Sequence, residues 1–224
     1  MLEANGLYKR YGKKEVLQNT SFEIGSSEMV SIMGPSGGGK STVARILCGT
    51  VMPDEGSVTF NNEMLVSHGN SYANKFRLEI QLIPQQPFAS LDPRQTVGSA
   101  VEEPLLFHNL VKNKTEAREK TEELLEKVML ESSLYDRRPG ELSGGQAQRI
   151  LIARSLTLSP KLLIADEATS MLDISSQAQI VRIFKSLIEN DGLSILFISH
   201  DRPLVESVSD RIYHLYSGKM KQVK

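Results

Sequence analysis

The sequence predicts an α/β fold: a mixed, largely parallel sheet covered by helices, with a helical stretch inserted into it. Three observations carry this. Short apolar runs recur along the chain, helix-like segments separate them, and several of the runs are continuous rather than alternating. A strand with one wet face alternates polar and apolar residues, whereas an unbroken apolar run suits a strand buried on both faces of a parallel sheet. Strands alternating with helices then give the α/β arrangement.

The strand-like runs are 20–24, 29–33, 57–60, 79–83, 161–165, 194–199 and 211–216. A helix is expected at 40–48, after a Gly-rich turn. A second, at 115–129, has an apolar stripe through Leu124, Leu125 and Val128. A third, at 146–158, carries Ile150, Leu151, Ala153 and Leu156. A fourth, at 175–188, carries Ile180, Ile183, Phe184 and Leu187. The middle of the chain, about 96–158, contains no convincing strand and reads as a helical subdomain inserted into the α/β core. The loop 85–94, rich in Pro and Gln, is a candidate mobile connection. A length of 224 residues suits one domain carrying such an insertion.

Charge narrows the function classes. Lys and Arg total 26 against 27 Asp and Glu, for a net charge of -1, so no overall basic footprint for nucleic acid or acidic lipid exists. The single cysteine, Cys48, has no partner for an internal disulfide and no metal-ligand spacing around it, and is expected to be a small buried apolar residue. No run approaches the ~20 apolar residues that span a bilayer, and residues 1–12 lack the apolar core of a secretory signal. A soluble, cytoplasmic chain is expected, with any membrane role supplied by a partner.

The chemistry begins after the run at 29–33. Gly34, Pro35, Ser36, Gly37, Gly38, Gly39, Lys40 and Ser41 fit the phosphate-binding pattern G-x-x-x-x-G-K-[ST], and with it a P-loop NTPase core. Glycines let the backbone curl with its N–H groups facing phosphate oxygens, and the helix that follows adds the positive end of its dipole. Lys40 is a point charge for the β- and γ-phosphates, the Ser41 hydroxyl is a Mg²⁺ ligand, and Thr42 joins the nucleotide-binding group. A second apolar run, 162–165, ends in Asp166 and Glu167. An acid at the carboxyl end of a strand beside a P-loop suits Mg²⁺ coordination through water, which assigns Asp166. Glu167 is then placed to polarise an attacking water as general base. Catalysis is expected to rest on Glu167, Lys40 and a third residue considered next.

Leu142, Ser143, Gly144, Gly145 and Gln146 read LSGGQ, which resembles the signature motif of ABC transporter ATPases at all five positions. The same residues form an S-x-x-Q capping box before an apolar helix, and a Gly-flanked helix N-terminus is itself an anion site. In that family the motif closes over the γ-phosphate held by the opposite subunit. The resemblance covers almost the whole chain. It implies a single nucleotide-binding domain over 1–224 with the helical signature subdomain at about 96–158. It also implies that Gln85 is the Q-loop glutamine that senses Mg²⁺, that Asp173 is the D-loop aspartate, and that His200 is the switch histidine and third catalytic residue. Tyr11 resembles the aromatic residue stacked on adenine, with Tyr8 as competitor. The stretch from Gln85 to Val97, with Glu103, Pro104 and Leu105, is similar to the importers of dipeptides, oligopeptides and nickel.

Departures from the family pattern are Ala168 after Glu167, Met171 before the D-loop Leu172 and Asp173, Ala147 after the signature, and Pro84 before Gln85. None removes a catalytic group, while Pro84 and Met171 bear on loop positions. The sequence stops at Lys224 soon after its last strand-like run, so the C-terminal extension common in peptide importers is not expected. The implied protein is an ATP-binding, ATP-hydrolysing subunit of an importer for peptides or nickel or metal chelates. It would work with ATP and Mg²⁺ on the cytoplasmic face of the cell membrane. Its implied partners are a second ABC ATPase subunit, a different related chain or a second copy; two permease subunits; and, indirectly, a solute-binding protein. A soluble accessory ATPase, such as a carbon–phosphorus lyase component, is the alternative. ABC ATPases that act on nucleic acid pair two ATPase domains or split one with a coiled coil, and this chain has one P-loop, one signature and no sustained heptads.

Overall fold

The structure, a computed structural model, describes residues 1–224 and is α/β, with ten strands and six helices. Contacts divide the chain into two compact units. One comprises Met1–Leu82, Lys161–Glu167 and Leu187–Lys224, and the other Ile83–Pro160 and Ala168–Ser186.

The first unit holds two sheets. Strands β1 (Leu2–Tyr11), β2 (Lys14–Ile24), β4 (Glu55–Phe60) and β5 (Glu63–Ser67) form an antiparallel sheet in the order β2-β1-β4-β5. The other sheet has the order β10-β9-β3-β8-β7-β6, from β3 (Met29–Met33), β6 (Ile80–Ile83), β7 (Leu162–Asp166), β8 (Ser194–Ile198), β9 (Arg211–Tyr216) and β10 (Lys219–Gln222). Its centre, β9-β3-β8-β7, is parallel, and β10 closes on β9 antiparallel. The parallel character expected from continuous apolar runs belongs to this sheet: β3 and β7 are buried at four successive positions and β8 at all five. Helix α1 (Lys40–Leu47) buries Val43, Ala44, Ile46 and Leu47 in one core with Leu2, Leu7 and Leu17 of the antiparallel sheet and Ile32, Ile164 and Ile198 of the other.

Three strands and two of the six helices were not singled out from sequence, one of those helices lying in the stretch 96–158 that reads as helical. In β1, exposed Glu3 and Asn5 alternate with buried Leu2, Ala4 and Leu7, so its apolar content is diluted by half. Strand β5 is short, with only Leu65 and Val66 buried, and β10 is short and polar at three of its four positions. Helix α6 (Arg202–Val208) spans only seven residues, capped by Asp201, whose carboxylate accepts from Leu204 N. Cys48 is half-buried rather than fully buried; burial, helped by the charge of Asp166, pushes its thiol up to about 12, so it is an inert thiol at neutral pH.

The second unit is helical. Helices α2 (Val97–Phe107), α3 (Lys114–Lys127) and α4 (Gly144–Leu156) pack together, and Val101, Leu105, Ala117, Leu125, Ile150 and Leu151 on them are buried. Each starts at a residue whose side chain accepts from the first turn: Thr96 from Ser99 N, Asn113 from Glu116 N, and Ser143 from Gln146 N. Those caps satisfy amide donors that a helix leaves open. A Cβ on Gly98 would lie 2.4 Å from the Tyr135 ring, which Arg118 covers from 4.5 Å and whose hydroxyl donates to Glu102. Helix α5 (Ile174–Asp191) starts in this unit. No helix is long and apolar enough to cross a membrane.

Candidate active site

The turn after β3 is shaped by what surrounds it. A side chain on Gly34 would put a Cβ 2.1 Å from the Leu215 carbonyl oxygen, so only glycine fits the approach to β9. Gly39 caps α1 at φ 101°, where a Cβ would also lie 2.8 Å from the Val16 carbonyl oxygen. Its own carbonyl accepts from Thr42 N at 3.0 Å and Val43 N at 3.1 Å, starting the helix. Lys40, the first helical residue, is only 4% exposed. Its Nζ donates to the carbonyls of Gly34 (2.9 Å) and Pro35 (3.0 Å), so the ammonium lies inside the curl of the loop. Pro35, Ser36, Gly37 and Gly38 complete that curl, with Gly38 N donating to Pro35 O at 3.1 Å.

The acids at the end of β7 meet this loop. Ser41 Oγ donates to Asp166 Oδ1 at 3.2 Å. The Asp166 carboxyl is raised above its ordinary range, chiefly by burial; the Ser41 hydrogen bond opposes this and the Glu167 charge adds to it. Glu167 adopts φ 52° and donates its N–H to Ile198 O at 2.9 Å. A non-glycine residue in that left-handed region is strained by about 1–3 kcal/mol, and such strain concentrates at functional positions. The turn carries the Glu167 carboxylate between Lys40 Nζ, 3.6 Å from Oε1, and His200 Nδ1, 3.7 Å from Oε2. His200 is 61% exposed and reaches Glu167 from the end of β8. Lys40, Ser41, Asp166, Glu167 and His200 thus converge in one unit.

Oxygen donors dominate the Ser41–Asp166 pair, and no cluster of three His, Cys, Asp or Glu residues exists. That donor set fits Mg²⁺, which is commonly held by one or two carboxylates while substrate phosphates and water fill its shell, rather than a metal needing an all-protein cage. Tyr11 ends β1, 46% exposed, in the hairpin whose Val16 and Leu17 abut Gly39. Tyr8 lies three residues earlier in β1, and its carbonyl accepts from Asp54 N.

The remaining expected residues lie in the second unit. Ser143 and Gln146 make the reciprocal box: Ser143 Oγ accepts from Gln146 N at 3.2 Å, and Gln146 Oε1 accepts from Ser143 N at 2.9 Å. A Cβ on Gly145 would lie 2.6 Å from Ser176 Oγ, and one on Gly144 would meet Leu172 at 3.5 Å. Asp173 caps α5, accepting from Ser176 N (2.9 Å), Ser175 Oγ (2.5 Å) and Ser176 Oγ (2.8 Å). Those donors hold its carboxyl well below the usual range. Gln85 Nε2 donates to Ser170 Oγ at 3.3 Å.

Comparison with known proteins adds the lineage. The family model for ABC transporter matches residues 17–170, more than half of the chain. The chain belongs to the ABC transporter family. The matched part of this ABC cassette includes the P-loop, Gln85, the signature, Asp166 and Glu167; Tyr11, Asp173 and His200 lie outside it. The cassette is 42% identical over 221 residues to the oligopeptide transport ATP-binding protein AppF of Bacillus subtilis (strain 168), covering 98% of this chain and 67% of that protein. It is also 42% identical over 220 residues to the glutathione import ATP-binding protein GsiA of Pectobacterium atrosepticum, again over 98% of this chain. There it spans only 35% of the relative's length. Among solved structures it resembles a dimeric post-hydrolysis state of the ATP-binding cassette MJ0796 bound to ADP and Pi. That likeness has a TM-score of 0.87 at 31% identity and covers 100% of this chain and 99% of that one.

Sequence reasoning passed over three polar residues of α4 in this cassette. Gln148 is buried and donates to Pro84 O; Arg149 donates to the carbonyls of Gly145 and Met129; Arg154 joins Ser90 O to Glu103. The signal available was a glutamine at an inward position of an otherwise apolar helix stripe.

Proposed function

We propose that this chain is the ATP-hydrolysing subunit of an ABC importer of peptides, coupling MgATP hydrolysis to movement of a separate permease. One observation carries it: the Glu167 carboxylate stands between Lys40 and His200, one residue from the Ser41–Asp166 pair. In this reading the P-loop amides from Gly34 to Thr42 and the Lys40 ammonium bind the β- and γ-phosphates, and Tyr11 stacks on adenine. Lys40 exchanges its bonds to Gly34 O and Pro35 O for phosphate oxygens, a stronger charge-assisted pairing. Ser41 and Asp166 would hold Mg²⁺, which would neutralise phosphate charge, and Gln85 is read as the residue that senses it. Glu167 accepts a proton from the attacking water as its oxygen bonds to the γ-phosphorus and the bond to ADP breaks. His200 donates to the γ-phosphate oxygens and keeps the Glu167 carboxylate oriented.

The second half of each site comes from a partner cassette, a different related chain or a second copy. Ser143, Gly144, Gly145 and Gln146, with Asp173, face the nucleotide bound by that partner. The domain spans 1–224 with its helical insert at about 96–158, and it sits on the cytoplasmic face of the membrane through two permease subunits that a solute-binding protein feeds. The names of the relatives, oligopeptide transport and glutathione import, favour peptides as cargo. The test is MgATP turnover by the purified assembly in vesicles, with peptide uptake followed in parallel. Turnover without any uptake of peptide sinks the importer reading; no turnover sinks the ATPase. Ser143→Arg, introduced in one subunit only, is expected to abolish trapping of nucleotide on the partner's P-loop and spare its own. Loss confined to its own P-loop overturns the head-to-tail pairing.

A further inference from the structure

Helix α4 begins at the signature and touches the Q-loop twice. Gln148 Nε2 donates to Pro84 O at 3.3 Å, and Arg154 Nη1 donates to Ser90 O at 3.2 Å. Both acceptors are main-chain carbonyls, one just before Gln85 and one at the end of the short 3-10 turn Phe88–Ser90. Six residues of helix rise about 9 Å, whereas six residues of extended chain reach about 20 Å. The loop fits the shorter span by folding into that turn, with Ser90 N donating to Pro87 O at 3.0 Å.

Neither anchor is explained by packing. Gln148 is 1% exposed, and its Oε1 has no hydrogen-bond partner. A buried unsatisfied carbonyl is costly, so an apolar side chain of the same length would serve a purely structural position better. Arg154 is oriented by Glu103 on α2, whose Oε2 lies 2.6 Å from Nη2. Its guanidinium fork is thereby fixed before it meets Ser90. Between them, Arg149 donates to Gly145 O (3.3 Å) and to Met129 O (2.6 Å), tying the first turn of α4 to the end of α3.

We propose that Gln148 and Arg154 are positioning residues that clamp the two ends of the Q-loop to the signature helix, so that Gln85 is presented by α4. The proposal rests on the reading of Gln85 as the residue that senses Mg²⁺. Its physical content is separable from that reading: the backbone of residues 85–91 is held by two side chains of one helix, and either anchor lost frees that segment without loosening α4.

The experiment uses the full chain with Gln148→Met, which keeps length and apolar bulk but removes the donor, and with Arg154→Met and Arg154→Lys. Amide hydrogen exchange is followed on the nucleotide-free protein, and MgATP turnover is titrated with free Mg²⁺. Both Met variants are expected to speed exchange in residues 85–91 by about 5-fold, the loss of one hydrogen bond, with α4 amides unchanged. Arg154→Lys, still able to reach Ser90 O, should restore most of the protection. Half-saturating Mg²⁺ should rise about 3- to 10-fold at nearly constant kcat, and Gln148→Met should add nothing to Gln85→Ala. Unchanged exchange at 85–91, or exchange that rises equally throughout α4, overturns the clamp. A Mg²⁺ shift that adds fully to that of Gln85→Ala overturns the route through Gln85. A wild-type assembly that does not turn over MgATP removes the ATPase reading alone, and the exchange result on the nucleotide-free chain still decides the clamp.

Discussion

The two units hold their functional side chains by different means. In the first, ionisable groups face one another: Lys40 and His200 flank Glu167, and Ser41 meets an Asp166 whose carboxyl burial has raised. In the second, Ser143, Gln146 and Asp173 are helix caps, satisfied by backbone amides and hydroxyls, and Gln85 is held by a serine. The first arrangement concentrates charge that a phosphate and a metal would relieve. The second carries no such demand; it fixes geometry. Substitutions in the first unit should therefore change chemistry by orders of magnitude, and those in the second should act through shape and stability.

The largest expected effect breaks the first half of that contrast. Glu167→Gln keeps the side chain's shape but removes the proton acceptor, and turnover should fall by about 10²–10⁴ while MgATP still binds; turnover within a few-fold of wild type removes Glu167 as base. Next, Lys40→Ala should weaken MgATP binding by about 30- to 3,000-fold, the range for losing one partner of a buried charge pair. Calorimetry with unchanged affinity would refute the phosphate role.

Two smaller effects sharpen the second half. Gly98→Ala forces a methyl into the Tyr135 ring and should cost about 1–3 kcal/mol of stability, measured by denaturant melts, with nucleotide affinity in the first unit unaltered. Smallest is Asp173→Ala. Hydrogen bonds from Ser175 and Ser176 hold the carboxyl below its ordinary value. Its ionised form therefore stabilises the fold above the unfolded pKa of about 3.9, and that contribution fades as pH falls through the lower folded value. Asp173→Ala should lower Tm slightly at pH 7, and the gap to wild type should narrow below about pH 4. A gap independent of pH would show that the cap acts without its charge.

Legibility followed burial. Strand β3 was bounded to the residue, and β7 and β8 to within one at either end, because they are buried over four or five successive positions; β9 was bounded to the residue on its buried Ile212, Tyr213 and Leu215. Strand β1 escaped because exposed Glu3, Asn5, Tyr8 and Arg10 break up its apolar residues, and β10 because Lys219, Lys221 and Gln222 leave no apolar pattern. The capping box of Ser143 and Gln146 was readable, since a cap is a local bond between residues three apart.

What the sequence alone determined was therefore whatever is local or carried by a fixed spacing. That covers the P-loop, the paired acids at the end of β7, the signature cap and the family they imply. Tertiary structure decided what depends on distant partners. The first unit separates into an antiparallel sheet and a mainly parallel one because β1, between β2 and β4, pairs antiparallel with both. His200 reaches Glu167 because β7 and β8 are neighbours in register. Gln148 and Arg154 meet the Q-loop across 64 residues of chain. Such contacts have no periodicity to read, since each is set by where the backbone returns in space.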